Sequence, residues 1–251
     1  MLSLHNLHKN FGGLLAVSDV SFTVTAGMIV GLIGPNGAGK TTVFNLITGN
    51  YKPDGGEIFF CGKKISGLPT HEIVSLGIAR TFQNIRLFSD MTVLENSLAG
   101  RHCRMRSGVL SALFRPPRML REEKDAVKQA LHELTYVGLE TRHAQKAGNL
   151  SYGEQRLLEI ARALATQPKF LILDEPAGGM NDAETESLMR LIRSIRNRGI
   201  AVLLIEHDMN LVMRLCDRLV VLEHGAMLAQ GSPEEIKNNE EVIRAYLGAG
   251  D

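Results

Sequence analysis

Gly34-Pro35-Asn36-Gly37-Ala38-Gly39-Lys40-Thr41-Thr42 is the stretch whose reading decides the fold. It follows the apolar run Met28-Ile29-Val30-Gly31-Leu32-Ile33 and leads into Val43-Phe44-Asn45-Leu46-Ile47, an order of strand, glycine-rich loop and helix. Glycines at 34, 37 and 39 permit a tight backbone path whose N–H groups turn inward onto phosphate oxygens. A helix opening near Lys40 aims the positive end of its dipole at the same anion. Lys40 is placed to reach the β and γ phosphates, and the Thr41 hydroxyl to ligate Mg²⁺. The stretch predicts a bound nucleotide and leaves open what the nucleotide is used for.

Outward from this loop, composition narrows the class. The 251 residues carry a net charge of +1, so charge alone argues for neither nucleic acid nor an anionic surface. Cys61, Cys103 and Cys216 are far apart and form no disulfide framework or C-x-x-C pair, which fits a reducing cytosol. The longest apolar runs, such as Phe170 to Leu173 and Ala201 to Ile205, fall far short of the roughly 18–20 residues that span a bilayer. The N-terminus does not read as a signal peptide. A soluble protein is expected; at a membrane, another chain would supply the span.

Phe170-Leu171-Ile172-Leu173-Asp174-Glu175 reads as a buried strand ending in two carboxylates. Continuous apolar strands of this kind belong in a parallel sheet covered on both faces. Asp174 ends its strand where the loop strand also ends, which makes it the candidate Mg²⁺ holder. Glu175 is the candidate general base for an attacking water; the plain alternative is a solvated Asp-Glu pair. Ala201 to Ile205 is the next strand and leads to Glu206-His207-Asp208, where His207 is within reach of a γ-phosphate or serves only structure.

In the remaining pattern strand signals stop from about Met91 until Lys169, helical spacing fills that interval, and Leu219 to Leu222 reads as a further strand. Leu2 and Leu4, then Val20, Phe22 and Val24, alternate as in a half-buried sheet, with Phe11-Gly12-Gly13 between them. Phe11 either closes a hairpin or offers a platform for an adenine ring. Glu57 to Phe60 and Ile78 to Phe82 read as further strands, the second running into Gln83. Val127, Ala130, Leu131 and Leu134, and again Leu157, Ile160, Ala161 and Leu164, follow helical spacing. They predict a helical lobe inserted in an α/β core. Leu150-Ser151-Tyr152-Gly153-Glu154-Gln155 precedes a helix expected over Arg156 to Ala165. Ser151 with Glu154 makes a capping box, or else the helix start is a second anion site, for a phosphate held by another subunit.

In this order the motifs resemble those of the ATP-binding cassette ATPases. Gly34 to Thr42 is similar to the family's first nucleotide motif, Phe170 to Glu175 to its second, and Leu150 to Gln155 to its signature, with Tyr152 where glycine is commoner. The resemblance implies that Gln83 is the Gln-loop residue that contacts Mg²⁺, that His207 is the switch histidine and that Phe11 stacks on adenine. It implies an ATP-binding P-loop NTPase core with a mostly parallel sheet, an N-terminal antiparallel β subdomain and a helical subdomain at about 86–167 inside one domain over 1–251. It further implies that Ser151 to Gln155 serve a composite site in trans. Asn181 stands where most cassettes carry aspartate, keeping the hydrogen-bonding shape without the charge.

Arg80-Thr81-Phe82-Gln83-Asn84-Ile85-Arg86-Leu87-Phe88, the basic insert from Arg101 to Arg121 and the tail Glu241 to Gly248 look like the branch that imports branched-chain amino acids. Urea and amide importers and lipopolysaccharide exporters are similar, and a soluble cassette ATPase outside transport is a further alternative. The expected partners are a second cassette, identical or different, integral membrane permeases and, indirectly, a periplasmic binding protein, with no nucleic acid. The expected place is the cytoplasmic face of the inner membrane. The insert, with Arg101, Arg104, Arg106, Arg115, Arg118 and Arg121 beside Leu110, Leu113, Phe114, Met119 and Leu120, is expected to face the permease or the lipid surface.

Overall fold

The computed structural model of the protein describes residues 1–104 and 117–247. The chain opens with β1 (Leu2–Phe11) and β2 (Leu14–Val24), a hairpin turning at Gly12-Gly13. β3 (Ile29–Ile33) then leads through the glycine loop to α1 (Lys40–Ile47). β4 (Gly55–Phe60), β5 (Lys63–Lys64), α2 (Thr70–Leu76) and β6 (Ile78–Arg80) follow. Next come α3 (Val93–Arg101), α4 (Pro117–Tyr136) and α5 (Tyr152–Ala165). The α/β pattern resumes with β7 (Phe170–Asp174), α6 (Asp182–Asn197), β8 (Ala201–Ile205) and α7 (Met209–Leu215). β9 (Arg218–Glu223), β10 (Ala226–Gly231), α8 (Pro233–Lys237) and α9 (Glu240–Leu247) complete it.

Among the described residues the strands form two sheets. One is antiparallel, in the order β2-β1-β4-β5. The other runs β10-β9-β3-β8-β7-β6 and is parallel except for β10. The predicted alternation holds in the first, where Leu2 pairs with Val24 and Leu4 with Phe22. In the second, side chains of one strand divide between two cores. Ile29 and Ile33 of β3 join the core under the helical insertion, while Val30 and Leu32 join the core beneath α1 and the antiparallel sheet. β7 and β8 split in the same way, so a run such as Phe170 to Leu173 is apolar throughout because both faces are covered.

This topology positions the site. β3 lies beside β8, and β8 beside β7, all parallel, so Gly34, Glu206 and Glu175 leave their strands at one edge. β6 lies on the far side of β7, with Arg80 opposite Ile172. The helices from α3 to α5 lie in sequence between these two adjacent strands. α3 and α5 approach closely at Gly100, where a Cβ would lie 2.1 Å from the Arg162 carbonyl oxygen.

Several expectations are corrected. The signature helix begins at Tyr152, not Arg156, because Ser151 and Glu154 form the capping box at its start. β6 ends at Arg80, not Phe82, because Glu159 accepts from the Phe82 N–H and Arg156 takes the Phe82 carbonyl. β10 escapes the sequence pattern, since Ala226 to Gly231 shows no apolar–polar alternation and pairs only with β9. Of the basic insert, residues 105–116 with Arg106, Leu110, Leu113, Phe114 and Arg115 lie outside the described residues, as do the Arg118 side chain and Gly248. Arg101 and Arg104 do not face outward as a basic patch. Arg104 donates to the Thr166 and Gln167 carbonyls after α5 and to the Ser75 carbonyl of α2, and Arg101 to that of Ala165, so they tie the end of α5 to α2. Phe88 is exposed, whereas Leu87 leans on the core.

Candidate nucleotide site

Local sequence builds the phosphate loop. Gly39, at φ 96°, is the N-cap of α1 and supplies no side-chain cap, and the first turn holds no acidic residue. The leading N–H groups of α1 are thus left for an anion. Gly34, at φ 147°, passes so close to β9 that a Cβ would meet the Leu222 carbonyl oxygen at 2.1 Å. Lys40 Nζ donates to the carbonyls of Gly34 (2.6 Å) and Pro35 (2.9 Å), folding the ammonium back across the loop. Burial lowers the Lys40 pKa, against the opposing pull of Glu175 and Asp174. A cleft of about 560 Å³ opens over the loop, lined by Asn36 to Thr42 with Phe11, Gln83 and Glu175. Phe11 closes the hairpin, as one of its two readings expected. It is the last residue of β1 before the hairpin turn, and it stands over this cleft, edge-on to Tyr51 at 5.1 Å.

Glu175 takes a left-handed backbone, φ 47°, which is uncommon for a side-chain-bearing residue and turns the chain sharply off β7. Its N–H donates to the Ile205 carbonyl. Gln83 Nε2 donates to Glu175 Oε2 at 2.8 Å, and His207 Nδ1 lies 3.5 Å from Oε1. Gln83 and His207, which meant little singly, are thus both within reach of the Glu175 carboxylate. His207 is exposed and lines a neighbouring cavity of about 720 Å³ with Ala177, Gly178 and Asp182, not the phosphate cleft. Glu206 beneath it is buried, which pushes its carboxyl up, and it accepts from the Ala177 N–H.

Asp174 is buried and its Oδ2 accepts from Arg80 Nη2 at 2.8 Å. Hard oxygen donors at this edge, the Asp174 carboxylate, the Thr41 hydroxyl and the Gln83 amide, fit Mg²⁺, which uses one or two carboxylates plus substrate phosphates. Among the described residues no group of three His, Cys, Asp or Glu could hold a metal without such phosphates.

The signature stands apart from the phosphate loop of its own chain. Ser151, Gly153 and Glu154 line a groove of about 710 Å³ with Met180, Asn181 and Glu184. Ser151 Oγ accepts from the Glu154 N–H at 3.3 Å and Glu154 Oε2 from the Ser151 N–H at 2.9 Å, while Gln155 donates to the Leu150 carbonyl. Tyr152 rests over Gly179, where a Cβ would lie 3.0 Å from its ring. Asn181 caps α6 by accepting from the Glu184 N–H.

Sequence reasoning missed Arg156 and Arg80. Arg156 is buried within α5 and donates to the carbonyls of Phe82 and Gln83 and to Glu159, tying the signature helix to the Gln83 loop. The available signal was a charged residue next to the apolar stripe that begins at Leu157.

The fold and this site define an ATP-binding cassette ATPase, and the chain belongs to the ABC transporter family, whose model matches residues 17–178. A second model, of branched-chain amino acid ATP-binding cassette transporters, matches residues 226–251. The chain is 50% identical over 99% of its length to the high-affinity branched-chain amino acid transport ATP-binding protein LivG of Salmonella typhimurium, 98% of which is covered. It is 49% identical, with the same coverage, to BraF of Pseudomonas aeruginosa. The ADP conformation of MJ1267, an ATP-binding cassette of an ABC transporter, superimposes with a TM-score of 0.85 at 34% identity, covering 99% of this chain and 98% of that one. ATPase subunits of this family work as dimers with membrane permease partners. Among the described residues no helix is long and apolar enough to cross a membrane.

Proposed function

We propose that this chain hydrolyses ATP to power import of branched-chain amino acids through permease subunits, from the cytoplasmic face of the membrane. The observation that carries the substrate is the 50% identity to LivG along the whole chain, supported by the C-terminal match at 226–251. Specificity for the amino acid belongs to the permeases and a periplasmic binding protein, because the sites described here are built for phosphate. The working unit is a pair of cassettes, identical or not, each a single domain over 1–251 with a helical subdomain at about 86–167.

In this reading Gly34 to Thr42 bind the phosphates and Phe11 stacks on the adenine. Glu175 is the general base. Gln83 holds one of its oxygens and His207 faces the other, which orients the carboxylate while leaving lone pairs for the attacking water. Thr41, Asp174 and Gln83 would hold Mg²⁺, whose chemistry is to offset charge on the β and γ oxygens. Ser151 to Gln155 serve the γ-phosphate of the opposite subunit; that Ser151, Gly153 and Glu154 line a groove separate from the phosphate cleft of the same chain supports this. The exposed Phe88, just after the Gln83 loop, faces the permease.

Reconstitution with the neighbouring permeases and binding protein tests the proposal. ATP-dependent leucine uptake is expected, and Glu175→Gln should lower turnover about 10²- to 10⁴-fold while ATP still binds. Wild-type turnover by Glu175→Gln would remove Glu175 as the base. A complex that moves urea or a short amide but not leucine would overturn the substrate.

A further inference from the structure

Arg80 is largely buried beside the site and tied to two of its elements, and no step above uses it. It ends β6 and its side chain is 9% exposed, against 5% for Asp174. Nη2 donates to Asp174 Oδ2 at 2.8 Å. Nη1 donates to Asn45 Oδ1 at 2.7 Å and lies 3.4 Å from the Thr48 hydroxyl. Asn45 and Thr48 belong to α1, and Asn45 is one turn after Thr41 on the same helix face. The guanidinium also lies over two rings, 5.7 Å from that of Phe44 on α1 and 5.1 Å from that of Phe82 beside Gln83. One planar, permanently charged group therefore spans the strand that carries Asp174, the helix that carries Thr41 and the root of the Gln83 loop.

We propose that Arg80 is a positioning residue for the metal edge of the site, fixing the Asp174 carboxylate against the helix that bears Thr41. This rests on the roles proposed above for Asp174 and Thr41. By occupying Oδ2, Arg80 sets the direction in which the remaining lone pairs of Asp174 point, and it supplies the counter-charge for a buried carboxylate. Removing a group that orients a metal-holding side chain typically lowers metal affinity or activity about 10- to 100-fold. A purely structural ion pair would instead change stability and leave metal dependence alone.

The test titrates Mg²⁺ against binding of a fluorescent ADP analogue to the full chain. Arg80→Met should bind the analogue without metal as the wild type does, and should need about 10- to 100-fold more Mg²⁺ for the metal-dependent gain in affinity. Arg80→Lys should recover part of the shift, because one ammonium cannot hold Asp174 and Asn45 in a fixed fork. Asn45→Ala, which cuts the other end of the bridge, should move Mg²⁺ dependence the same way by less. Should Arg80→Met fail to fold, Arg80→Lys and Asn45→Ala decide, and wild-type Mg²⁺ dependence in both overturns the inference. Asp174→Asn separates the two levels. If it shifts Mg²⁺ dependence while the Arg80 variants do not, the inference fails and the metal assignment stands. If Asp174→Asn also leaves Mg²⁺ dependence unchanged, the metal assignment fails and the inference with it.

Discussion

Arg198→Leu should destabilise the protein by about 2–3 kcal/mol, by a mechanism the sequence does not announce. Arg198 follows α6 and makes a two-bond fork onto Glu133 of α4, at 2.7 and 2.9 Å, which joins the helical insertion to the α/β core. Glu133 is 1% exposed and Arg198 32%. Removing one member of a buried pair typically costs about 3–5 kcal/mol, because the other charge is left without its partner. Two features reduce that here. Arg198 is open enough for water to take its place, and Gln129 Nε2 still donates to Glu133 Oε1 at 3.1 Å. The contact of Arg198 with the Tyr136 ring, 4.4 Å away, is lost as well and returns about 0.5–1 kcal/mol to the penalty. At about 2–4 °C per kcal/mol for a chain of this size, Tm should fall by about 5–10 °C in thermal unfolding followed by circular dichroism at neutral pH. Burial pushes the Glu133 carboxyl up, but the Arg198 hydrogen bonds and charge overcome it and hold the group below its usual range. Its folded pKa is thus below its unfolded one. The stabilisation is in place above the ordinary glutamate value of about 4.3 and is lost as pH falls through the lower folded value. The gap between wild type and Arg198→Leu should therefore close in acid. Adding Glu133→Met should recover most of the loss, since the unpaired charge is then gone. A Tm drop of under about 2 °C, or a double variant no better than the single, would refute this account.

Lys40→Ala should weaken ATP binding by removing the cation that offsets the β and γ phosphates; unchanged affinity in equilibrium binding would place Lys40 outside the phosphate site. Ser151→Arg should block hydrolysis while monomers still bind ATP, and mixing it with Lys40→Ala should give heterodimers with at most one intact composite site, read from turnover. Gly100→Ala should destabilise by about 1–3 kcal/mol, measured by urea unfolding, because its Cβ would press on the Arg162 carbonyl where α3 and α5 touch. A neutral result would mean that the two helices part at little expense.

Much of the fold was legible because it is written in local spacing. The glycine loop, the capping box at Ser151 and the wholly apolar strands each follow from a handful of neighbouring residues. β10 was not legible because it lacks an apolar alternation, and α5 was placed from Arg156 because its apolar spacing begins only at Leu157, although the Ser151 capping box marks an earlier start.

At the site, sequence by itself determined which chemistry is present: a phosphate loop at Gly34 to Thr42, two carboxylates at Asp174 and Glu175, and a glutamine and a histidine after other strands. Each sits at the end of a strand or the start of a helix, where short-range rules hold. Only the tertiary structure decided what those groups touch. Gln83 and Glu175 are 92 residues apart in the chain, Arg80 and Asp174 94, and Glu133 and Arg198 65. Such contacts depend on which strands lie side by side and how helices cross, and side-chain spacing along one element carries no record of either. The same reason explains why six arginines read as one basic patch in sequence, while Arg101 and Arg104, once folded, are turned inward onto carbonyls around the end of α5.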